Sequence, residues 1–179
     1  MIGFLRFVGL MNAAVWFGAA IFFTVAIAFV PFSKEMTDLL KGAQNVPYFE
    51  GAIAQLLIAR YFHFEVACSV VAVAHLFLEW LYLGRAPRKF SQGLLLGLIF
   101  ITLAGGYVFQ PKMKELHSIK YSANRPPAER EAAAHSFSAW HGVAQGINLL
   151  MLAGLAIYLW RTANPADPTR FVSTSKFRS

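Results

Sequence analysis

The chain has 179 residues, of which 57% are hydrophobic, 15% aromatic and only 14% charged, with a formal net charge of +7. A soluble domain carries about 25% charged residues, so a water-solvated globule is excluded and the surplus apolar surface calls for lipid. Only helices and closed barrels place backbone in lipid with every amide satisfied, and runs such as Leu94-Leu95-Leu96-Gly97-Leu98-Ile99-Phe100 lack the period-two alternation of barrel strands. The expected fold is all-α, an integral membrane four-helix bundle.

In chain order, the first apolar stretch, Phe7 to Ser33, holds no Asp, Glu, Lys or Arg and exceeds the ~20 helical residues that cross a hydrocarbon core of ~30 Å. It is too long for a signal-peptide core of about 7–15 residues, so an uncleaved helix over about 4–31 is expected, ending at Pro31. Ser33 stands where it can cap a short amphipathic segment, Lys34 to Lys41. The stretch from Gly42 to Pro47 reads as a break.

A second helix is expected over about 58–83, with Trp80 and Tyr82 at the depth of an aromatic belt and Cys68 as a small packing residue. After Arg85-Ala86-Pro87-Arg88-Lys89 comes a third helix, about 90–110. It contains Gly93 and Gly97, spaced for close helix approach, and Gly105-Gly106 near its far end. These glycine-containing faces predict close packing against a neighbour and a route to homo-oligomers. Pro111 ends or kinks the membrane part, leaving an outer connection, 111–136, that is partly helical. The fourth helix is expected over about 137–161, its preceding turns projecting into water, so that the membrane domain spans 1–162 and 163–179 forms a polar tail.

The basic residues flank these stretches instead of forming a stripe with interleaved aromatics, which argues against nucleic acid and for the lipid bilayer as partner. The N-terminus, the 84–89 connection and the tail together hold eight Lys or Arg, as do the two other connections. The short Arg85/Arg88/Lys89 loop tips the balance, because basic residues beside helix ends weigh most. Both termini are expected in the cytoplasm, in a bacterial inner membrane.

Polar residues inside the apolar stretches are the candidates for function. Glu65, His75 and Glu79 lie with Tyr61, Cys68 and Ala72 on one stripe of the second helix. An ionised Glu65 facing lipid costs ~2.5 kcal/mol or more, so this stripe should face protein or a cavity, with His75 and Glu79 pairing near the cytoplasmic end. His63 is rotated about 160° from Glu65. On the fourth helix His141, Gln145 and Asn148 share a face with Gly142 and Gly146, expected to line the bundle interior. His63 and His141 both lie near the outer end, where one imidazole from each of two helices could ligate haem b or copper. His117 and His135, in the outer connection, read as solvated. No nucleophilic triad, phosphate loop or paired catalytic carboxylates can be argued, so the expectation leans away from an enzyme.

Trp16-Phe17-Gly18, Tyr61-Phe62-His63, Gln110-Pro111 and Trp140-His141-Gly142 with Asn148 together resemble the small transmembrane protein 205-like family, whose bacterial members form a domain of unknown function. The resemblance runs from about Gly9 to Trp160. It implies a four-helix membrane bundle, distantly similar to copper-resistance-type and haem-binding four-helix membrane proteins, and its eukaryotic members are associated with drug and platinum resistance. Glu65 falls outside the pattern. The functional expectation is a non-enzymatic membrane module binding a metal, haem or small ligand between the second and fourth helices. The alternatives are a haem-dependent membrane oxidoreductase and an ion-coupled transporter subunit using Glu65, His75 and Glu79.

Overall fold

A computed structural model describes residues 2–84 and 89–164; the Arg85–Lys89 loop that carries the topology argument and the tail fall largely outside these. Among the described residues there are no strands and six α-helices: α1 (Ile2–Phe22), α2 (Lys34–Leu39), α3 (Val46–Leu83), α4 (Lys89–Ala104), α5 (Gln110–Lys120) and α6 (Pro127–Ala163). Two π-helical turns, Phe23–Ile27 after α1 and Gly105–Phe109 between α4 and α5, widen the helices in which they sit.

Local chemistry explains the boundaries. Ser33 caps α2, its Oγ accepting from the Met36 amide at 3.2 Å. Asn45 caps α3 in the same way, accepting from Tyr48 at 3.3 Å. Pro47 lies in the first turn of α3, where a missing N–H costs nothing. The second helix therefore begins at Val46, not near residue 58: the proline that suggested a break starts the helix. Gly84 closes α3 at a φ of 61°, the left-handed conformation that glycine adopts without strain. Pro111 does not end the third helix either. A proline in a helix interior removes one hydrogen bond and crowds the carbonyl four residues back, and here the wide turn Gly105–Phe109 immediately precedes it, so the helix continues into α5.

Four helical segments are long and apolar enough to cross a membrane, running Gly3–Leu39, Val46–Tyr82, Lys89–Lys120 and Pro127–Ala163. They alternate in direction. Arg6 donates to the Ala163 carbonyl at 3.4 Å, and the Arg161 guanidinium lies 5.1 Å from the Phe90 ring, so the start of α1 and α4 meets the end of α6. α1 packs on α3 and α6, and the α4–α5 rod packs on the same two, so α3 and α6 sit diagonally across the bundle. The interior joins Ala13, Trp16, Ala20, Cys68, Ala72, Leu95, Leu98, Met151, Leu155 and Tyr158. Phe22, Phe29, Leu96, Phe100, Leu149 and Leu150 point outward. Large apolar groups outside and Glu65, His75, Glu79 and Thr102 inside are the arrangement lipid demands and water forbids.

The glycines correct one expectation. Gly93 and Gly97, with Gly142 and Gly146, face open space, whereas close approach occurs at Gly9 against the His75 ring and at Gly105 against the Phe62 ring. A spacing of four places two glycines on one face without saying which way that face looks.

At the Lys120 end the helices outrun a bilayer. Lys89 to Phe109 already cover about 30 Å at 1.5 Å per residue, which puts α5 beyond the hydrocarbon, beside the first turns of α3 and α6. His117 was expected to be solvated. Instead it is buried against Gly51, 5.4 Å from the Tyr48 ring, 5.0 Å from Tyr121 and 6.0 Å from Phe137, and its Nε2 makes no hydrogen bond. Burial, then the nearby Lys120 charge, pushes its pKa below the ordinary histidine value of 6.5. A lowered folded-state value means that the unfolded chain takes up the proton first. Stability is therefore full above pH 6.5 and falls as pH drops from there toward the lowered value. Protection factors of the α5 amides, which divide out the intrinsic slowing of exchange in acid, should fall between pH 7 and pH 5 in the wild type, with a flatter profile in His117→Gln; equal profiles would show that another group sets the response.

Candidate functional site

Glu65 is the most deeply buried charged residue described, at 2% exposure. It lies in the interior because α3 carries its small and polar residues, Cys68, Ser69 and Ala72, on the same side. Helices bring donors to its carboxyl from two directions. One turn earlier on α3, the Tyr61 hydroxyl donates to Oε1 at 2.5 Å, and from α4 the Thr102 hydroxyl donates to Oε2 at 3.4 Å. From α1, the fully buried Trp16 directs its indole N–H at the same carboxyl without completing a well-formed hydrogen bond. A hydrogen bond to a charged group contributes about 1.5–3 kcal/mol, so these donors offset part of the cost of burying the group. Among the described residues no Lys, Arg or His forms an ion pair with Glu65.

Beside the carboxyl is a cavity of about 60 Å³, lined by Tyr61, Phe62 and Glu65 of α3, by Gly105 and Phe109 of the π-helical turn, and by Asn148 of α6 among others. That is room for a few water molecules or a ligand of a few heavy atoms. Both π-helical turns contribute. Phe23 of the first stacks on Tyr61, with ring centroids 4.2 Å apart and planes 9° apart, and Gly105 of the second lets the Phe62 ring lie directly on the backbone. Such turns recur at functional sites because they displace side chains from the regular helical register. Asn148 donates one Nδ2–H to Thr24 Oγ1 at 3.0 Å, which leaves its carbonyl oxygen and its second N–H for a ligand.

The residues singled out from sequence separate in space. Glu65 and Asn148 meet at the cavity. His75 is buried lower on α3 and donates Nε2–H to the Leu5 carbonyl at 3.0 Å; Glu79 is buried one turn further. His141 and Gln145 are both exposed, and the Gln145 amide donates to His141 Nε2 at 3.2 Å. Of the polar stripe on the fourth helix, only Asn148 turns inward. The exposed His63 donates Nδ1–H to the Ala59 carbonyl at 2.6 Å. Both imidazoles are exposed, one on α3 and one on α6, helices that sit diagonally across the bundle. Among the described residues no three His, Cys, Asp or Glu gather as metal ligands.

Thr102, Trp16 and Phe109 of this site gave no signal as ligand-site residues in the sequence. The pair Gly105-Gly106 before Pro111 was the available hint, since a strained proline and two small residues together permit a widened turn. No curated protein and no solved structure matches the chain. The family described as Domain of unknown function (DUF4149) matches residues 11–122, most of the bundle and all three helices that supply Trp16, Glu65 and Thr102, and the chain belongs to that family.

Proposed function

We propose that this multi-pass membrane protein is a non-enzymatic module that binds a small ligand in the cavity between α3, the end of α4 and α6, with Glu65 as its polar anchor. The observation that carries the reading is a buried carboxyl opening on a cavity: an ionisable residue inside a membrane marks a functional site by default, and a pocket with a few convergent polar groups is the usual form of a small-molecule site. Haem b or copper held by His63 and His141 has weaker support, because both imidazoles face outward. A cavity of about 60 Å³ suits a ligand far smaller than a porphyrin. Purified protein should bind a small polar ligand, read as a rise in melting temperature, and Glu65→Gln should abolish that rise. A Soret band or stoichiometric copper lost in both His63→Gln and His141→Gln would overturn the reading in favour of the cofactor site. Ion-coupled transport is a second reading, favoured by the burial of His75 and Glu79 on the same helix as Glu65.

We also propose that both termini are cytoplasmic, in a bacterial inner membrane, and that α5 lies on the opposite side. Labelling of Lys114→Cys by a membrane-impermeant thiol reagent should proceed from outside the cell, in a Cys68→Ala background. Labelling only after lysis would reverse the topology.

A further inference from the structure

We propose that the Glu65 cavity takes a small primary ammonium ion, of the size of ammonium or methylammonium, in competition with a proton on the carboxyl. This rests on the reading of the cavity as a ligand site and names the ligand's class. The lining decides the sign of the charge. A carboxylate has about four lone-pair sites, and Tyr61 and Thr102 occupy two. The Asn148 amide gives one of its two N–H groups to Thr24, so it has a carbonyl oxygen and one N–H left to offer. The Tyr61 and Thr102 hydroxyl protons are spent on the carboxyl itself and the Trp16 N–H is directed at it, so the free carboxylate lone pairs and the Asn148 carbonyl outnumber the one Asn148 N–H left for a ligand. The rest of the wall includes the rings of Tyr61, Phe62 and Phe109, whose faces attract cations. Acceptors for N–H groups beside aromatic faces describe an ammonium site and repel anions.

Size and charge balance narrow it further. About 60 Å³ admits methylammonium and excludes bulky quaternary ions. A lone negative charge at this depth is expensive, and among the described residues no cationic side chain balances it. Either a proton or a bound cation must do so. The exchange conserves charge: Glu65–COOH and R–NH₃⁺ give the ion pair Glu65–COO⁻ R–NH₃⁺, and one proton leaves for solvent. The titratable neighbours are few. Tyr61 and Cys68 share α3 with Glu65, while α1, α4 and α6 present Trp16, Thr102, Asn148 and Met151, which do not titrate.

The test is calorimetric titration of methylammonium chloride into the purified full-length protein, in two buffers of different ionisation enthalpy. Saturable binding accompanied by proton release is expected, with Glu65→Gln weakening affinity about a hundredfold and tetramethylammonium binding far more weakly. Gly105→Ala, whose added Cβ collides with the Phe62 ring of the cavity wall and touches no carboxyl donor, should weaken affinity roughly tenfold and keeps the proposal testable if Glu65→Gln does not fold. Undiminished binding in either variant, binding without proton release, or equal affinity for sodium overturns the ammonium assignment. Xenon separates the two levels of inference. If xenon enters the cavity while methylammonium fails to bind, the ammonium claim falls and the cavity reading stands; if neither enters, both fall.

Discussion

Replacing Trp16 with Ala should destabilise the protein by about 3–5 kcal/mol, the usual cost of removing a fully buried large aromatic. Trp16 has no exposed surface, meets Tyr158 edge to face with ring centroids 6.3 Å apart, and lies at the centre of the packing between α1, α3 and α6. Its loss also takes away the indole N–H directed at Glu65. Reversible unfolding in mixed micelles provides the measurement, and Phe100→Ala provides the control. Phe100 is 72% exposed and faces lipid, so its truncation should cost well under 1 kcal/mol. Similar losses for the two variants would mean that Trp16 does not face the bundle interior.

The second large effect concerns three glycines on one rod. A Cβ at Gly105 collides with the Phe62 ring, whereas a Cβ at Gly93 or Gly97 meets nothing. Gly105→Leu should cost at least about 1–3 kcal/mol by overpacking and close the cavity beside Glu65. Gly93→Leu and Gly97→Leu should be close to neutral in the monomer, since the added side chain enters lipid. A clear loss of stability at Gly97 would reveal a packed face there, supplied by a second copy of the chain. The same melting curves that rank stability would show whether Gly105→Leu also loses any ligand-induced shift, which ties the packing defect to the site.

Composition and hydropathy by themselves determined that the chain is an all-α bundle with four helices that can cross a membrane, because transfer to lipid depends on how many apolar residues run together and hardly on what they later touch. The stripe from Tyr61 to Glu79 also placed Glu65, His75 and Glu79 on the protein side of their helix, since the cost of a charge in lipid is paid wherever it faces the acyl chains. The facing of the other polar residues was not legible. His141, Gln145 and Asn148 share a helix face in sequence, yet a face is a wide arc and only Asn148 falls on the part that Thr24 meets. Gly93 and Gly97 had the spacing of a contact and the wrong azimuth; Gly105 had the contact. Helix rotation is set by the fit of whole surfaces, including the two π-helical turns that shift register at Phe23 and Gly105. Their neighbours lie on another helix, Phe23 against Tyr61 and Gly105 against Phe62. Tertiary structure alone therefore brought Thr102, Trp16 and Phe109 to Glu65 and turned His63 and His141 to the outside, because convergence across a bundle is a property of packing between segments distant in sequence.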